Sequence, residues 1–126
     1  MMDGEPSQVV FSTKALHEGQ PNTNGTTTAV KDNPLTAKVG DKVRLYINNV
    51  GPNEVSSFHV VGTMFDDVYI DGNPANHYEG MQTVLLPASG GAVVEFTVKE
   101  AGKYPFVTHQ FNHATKGAVG FIEVTE

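Results

Sequence analysis

Apolar and polar residues alternate at every second position in short stretches along the whole chain. Val43, Leu45 and Ile47 alternate with Lys42, Arg44 and Tyr46, the period of a strand with one buried face. Val94, Phe96 and Val98 alternate with Val93, Glu95 and Thr97 in the same way. Further strands are predicted over 9–12, 35–39, 58–62, 65–70, 81–86, 103–109 and 119–124. Turn residues separate them at Gly51-Pro52-Asn53, Asp71-Gly72-Asn73-Pro74, Ala88-Ser89-Gly90-Gly91 and Ala101-Gly102,. No window of helical length keeps a 3.6-residue apolar stripe. Residues 13–34 are rich in Thr, Asn and Gly and read as a polar loop or hairpin at the surface,. There is no internal repeat and no linker. The pattern predicts one all-β domain over residues 1–126, a sandwich or a barrel.

Composition narrows the function. The chain has 126 residues, room for one domain with a core that needs no staples,. It contains no cysteine, so disulfides and thiolate metal ligands are both excluded. A formal net charge of −6, with Lys and Arg scattered, argues against nucleic acid as a partner. No apolar run approaches the ~20 residues of a membrane span. The first residues, Met1-Met2-Asp3-Gly4-Glu5-Pro6, lack the apolar core of a signal peptide,. Asn24-Gly25-Thr26 matches a glycosylation sequon, a short pattern that carries little by itself,.

The candidate chemistry lies in the five histidines. His17 and His77 fall in polar stretches and read as exposed loop residues. His59 lies in the apolar stretch Ser57-Phe58-His59-Val60-Val61, where alternation puts it on one face with Val61,. It is either a half-buried histidine with one hydrogen bond or a functional group. His109 ends a strand, and His113 follows four residues later in a polar segment. Two histidines at this spacing converge on one ion if the segment makes a single turn. The spacing alone also fits two unrelated surface residues.

Longer motifs bear on the choice. Gly51-Pro52-Asn53-Glu54-Val55-Ser56-Ser57-Phe58-His59-Val60-Val61-Gly62 closely resembles the C-terminal cupredoxin domain of copper nitrite reductases. So do Phe65-Asp66-Asp67-Val68-Tyr69, the segment Gln82-Thr83-Val84-Leu85-Leu86-Pro87, Val107-Thr108-His109 and Lys116-Gly117-Ala118-Val119-Gly120. The resemblance extends over about 9–124 and includes the last domain of multicopper oxidases. It implies a cupredoxin-like Greek-key sandwich of about seven or eight strands. It implies that His109 is a ligand of a type 2 copper at a trimer interface, and that His59 sits above that copper and handles protons. On the oxidase pattern, His109 and His113 keep two histidine positions, Thr108 replaces the cysteine and Ala118 the axial methionine. A blue type 1 copper needs a Cys thiolate, so none is expected here. The family is usually periplasmic or extracellular.

Two functions follow. One is a copper-binding oxidoreductase module with a type 2-like site made of His109, His113 and His59. It would be a homotrimer, or would be completed by a further cupredoxin domain, with electrons supplied from outside. Copper is favoured for nitrogen donors by the Irving–Williams order, with zinc as a substitute. The other is a non-catalytic structural or metal-binding cupredoxin domain, since a fold survives loss of its site.

Overall fold

The computed structural model describes residues 7–11, 34–51, 53–114 and 118–126. His17, the Asn24 sequon and all but the last residue of the polar stretch 13–34 lie outside them. The described residues form ten strands and one short helix. The strands are β1 (Ser7–Phe11), β2 (Leu35–Lys38), β3 (Lys42–Asn49), β4 (Ser56–Val60) and β5 (Phe65–Ile70), then β6 (His77–Met81), β7 (Thr83–Leu86), β8 (Gly90–Thr97), β9 (Gly102–Thr108) and β10 (Val119–Thr125). The helix α1 is the single turn Phe111–Ala114.

Two five-stranded sheets result, ordered β1-β3-β8-β5-β6 and β2-β10-β9-β4-β7. The β1–β3 and β2–β10 pairs are parallel; the others are antiparallel. Alternation decides which side chains enter the core. Val43, Leu45 and Ile47 of β3 and Val94 and Phe96 of β8 are buried, as the sequence predicts. From the other sheet come Phe58, Val60, Val84, Leu86, Phe106 and Ile122. Phe58 stacks on Phe65 at 6.0 Å and lies against Phe106 at 6.1 Å, so aromatic packing across the layers holds β4 in place.

The nine stretches that read as strands become ten for an identifiable reason. The stretch 81–86 reads as one strand, but the chain breaks at Gln82 and changes sheet. β6 closes the edge of the first sheet against β5, and β7 closes the edge of the second against β4. β6 carries the exposed sequence HYEGM, which has no apolar alternation to reveal it. His77, read from the sequence as a loop residue, therefore stands in an edge strand.

Candidate metal centre

The register of β4 against β9 builds the site. Phe58 lies opposite Thr108 and His59 opposite Val107. Phe58, Val60, Phe106 and Thr108 then face inward, and His59, Val107 and His109 face the outer side of the second sheet. The amide of His109 donates to the Ser57 carbonyl at 2.8 Å, continuing the ladder one residue beyond β9. His59 is half-buried and His109 exposed. Their ring centres are 5.9 Å apart, with the planes inclined at 57°. Two imidazoles bound to one ion at about 2 Å per nitrogen hold their centres roughly 5 to 6 Å apart. The separation of the pair is compatible with a shared ion, whose remaining coordination positions would fall to other donors.

Each ring is held by a contact that leaves a nitrogen for chemistry. His59 donates Nδ1–H to the Gln82 carbonyl oxygen at 2.7 Å. That oxygen can only accept, so the proton sits on Nδ1 and the lone pair of the neutral ring on Nε2. Such a backbone bond on the far nitrogen is how ligating histidines are commonly oriented. The His109 ring instead stacks on Phe111, the first residue of α1, at 4.3 Å and 25°, a contact that uses neither nitrogen.

His113 lies within α1, one turn beyond His109, and its side chain is outside the described residues. The structure thus brings His59 and His109 together. Sequence reading did not identify Gln82 or Phe111 as the groups that orient them, because neither contact follows from spacing along the chain.

Behind the histidines, a small polar cluster fills the inner side of the same strands. Thr108 is buried, and its hydroxyl accepts from Ser56 Oγ at 3.0 Å and donates to Gln110 Oε1 at 3.1 Å. The Ser57 amide reaches the same Gln110 oxygen at 3.0 Å. The Thr108 amide donates to the carbonyl of buried Ala118 at 3.1 Å. The positions compared above with a cysteine and an axial methionine thus hold a hydrogen-bonded hydroxyl and a methyl group.

Polar Thr83 stands directly opposite His59 on β7, its hydroxyl 3.4 Å from Nδ1, and exposed apolar side chains lie farther out. Val61 follows His59 on the outward side, Leu85 stands opposite Ser57 on β7, and Phe111 caps His109. These three are 44%, 63% and 56% exposed, and Val55, just before β4, is 39% exposed. Exposed apolar side chains of this kind suit contact with another protein surface. No described helix is long and apolar enough to cross a membrane.

Comparison with known proteins agrees with this fold. Residues 4–126 match the family model for multicopper oxidases. A copper-containing nitrite reductase of Neisseria meningitidis serogroup A is 48% identical over 94 residues, which cover 74% of this chain and 24% of the relative. Among solved structures, a copper-containing nitrite reductase of Thermus scotoductus aligns with a TM-score of 0.82 and 33% identity, over 95% of this chain and 30% of that one. The copper nitrite reductase of Nitrosomonas europaea aligns with a TM-score of 0.83 and 27% identity, over 100% of this chain and 50% of that one. The chain spans about a quarter of the length of the curated relative. With the family model matching nearly the whole sequence, the chain belongs to the multicopper oxidase family.

Proposed function

We propose that this chain is a copper-binding cupredoxin domain, one domain over 1–126, whose type 2-like site is built on His109 and His59 and is completed at an interface. The observation that carries this reading is the pair of imidazoles 5.9 Å apart, with Phe111 stacked on His109 and Val61 and Leu85 exposed nearby. Two described imidazoles are fewer than the three protein ligands of open catalytic metal sites. His113, or a donor from a neighbouring subunit in a homotrimer, supplies the third. A closed ring of three subunits repeats one heterologous contact, so each apolar face would meet the same partner surface. The chain has no cysteine, and buried Thr108 and Ala118 offer no sulfur, so we assign no type 1 centre to it.

Bound copper would supply Lewis-acid activation of a small oxygen-bearing substrate, with electrons from an external donor or a further cupredoxin domain. The residues of this chain bind, orient and move protons. His109 is the indispensable ligand, and stacking on Phe111 limits rotation of its ring. His59 is either a ligand through Nε2 or a proton relay beside the metal, with Nδ1 held by the Gln82 carbonyl in both roles,. Zinc would occupy the same nitrogen donors without the redox chemistry. The alternative, a structural cupredoxin domain without a catalytic metal, predicts a monomer with His59 merely hydrogen-bonded. Light scattering together with copper titration tests the choice. An assembly of three chains with one copper per chain supports the proposal; a monomer that takes up no copper refutes it.

A further inference from the structure

A second group of donors lies on the other sheet. β5 and β6 pair with Asp67 opposite Glu79 and Tyr69 opposite His77, so all four side chains share the outer face of the hairpin. One donor atom from each of Asp67, His77 and Glu79 lies within 4.8 Å of the other two. His77 Nε2 is 2.7 Å from Asp67 Oδ1, and the His77 ring stacks on Tyr69 at 4.7 Å and 12°. The stack orients the imidazole without engaging either nitrogen. The next residue in this row, Glu95 opposite Asp67 on β8, is already matched with Arg44 at 2.6 Å and Lys42 at 3.6 Å.

Two carboxylates directly across a strand pair repel each other. A protonated His77 offsets one of these negative charges; a divalent cation offsets both. We propose that Asp67, His77 and Glu79 form a second metal site, with one nitrogen and two oxygen donors, for a divalent transition-metal ion of the zinc or copper(II) kind. One imidazole with two carboxylates suits these ions. The exposure of His77 and Glu79 leaves the remaining positions to water. The site stands apart from the His59–His109 pair, which lies on the other sheet, and does not depend on it.

Zinc titration followed by calorimetry and by amide NMR tests this site. Zinc is expected to shift the amide signals of Tyr69, His77 and Gly80. Exposed Glu79→Gln leaves the fold intact and is expected to weaken this zinc binding at least about tenfold, and His77→Ala to do the same, as loss of a supporting or ligating group does. His109→Ala is expected to leave these shifts unchanged. Zinc that leaves the three amides unmoved would overturn the proposal. So would zinc that moves them equally well in Glu79→Gln.

Discussion

His59 and Gln82 are joined by a hydrogen bond of 2.7 Å from the ring Nδ1 to the main-chain oxygen, at the point where the chain leaves one sheet for the other. The break between β6 and β7 removes Gln82 from the ladder, and its carbonyl serves the histidine instead. Fold topology thereby fixes the tautomer of the ring. His59→Ala removes this bond from a half-exposed site and is expected to cost about 0.5–1.5 kcal/mol of stability. Chemical denaturation measures that cost. His59→Asn, which retains a side-chain donor, is expected to recover part of it.

The aromatic contacts of Phe58 join β4 to β9 and to the facing sheet. Phe58 is fully buried between Phe65 and Phe106. Phe58→Ala is expected to destabilise the domain by about 3–5 kcal/mol through lost burial and a cavity. Urea unfolding checks the figure, and a loss below 1 kcal/mol would show that β4 is not packed as described.

The Thr108 hydroxyl links Ser56 and Gln110 inside the sandwich. Thr108→Val keeps the shape and leaves those two groups without this partner, at an expected cost of about 1–3 kcal/mol. Copper-loaded wild type is expected to lack an intense blue absorption, since that band needs a thiolate and the chain has none,.

Arg44 and Glu95 show how charge behaves on the outer face of the first sheet. Glu95 is buried although it faces outward, because the Arg44 side chain covers it with a 2.6 Å hydrogen bond. That bond, foremost, then a side-chain hydrogen bond with Tyr46 and the attraction of the Glu95 charge, raise the Arg44 pKa above its ordinary value. A raised folded pKa contributes stability below the unfolded pKa and loses it only as pH rises through the folded one. The contribution of Arg44 is therefore constant across neutral pH. Because Arg44 is 42% exposed, solvent screens the pair, and Arg44→Met is expected to cost only about 1–2 kcal/mol. Thermal melts between pH 6 and 9 are expected to show no change in that difference attributable to titration of Arg44.

Much of the fold is legible in the sequence because β3 and β8 each bury one face, and a period of two records that directly. β6 is illegible for the opposite reason: all of its residues but Met81 are exposed, so nothing in HYEGM alternates. His59 and His109 could be singled out by motif, but their meeting depends on the β4–β9 register, which places residues 50 apart side by side. Asp67, His77 and Glu79 leave no sequence signal, since only the β5–β6 hairpin brings them together.

The most direct test of the copper assignment is competition with a chelator for Cu(II), on protein carrying His77→Ala so that the hairpin donors do not contribute. The account predicts that adding His109→Ala to this background weakens copper binding by at least about tenfold, the cost of losing a group that holds a metal. Equal affinity with and without His109 would contradict it.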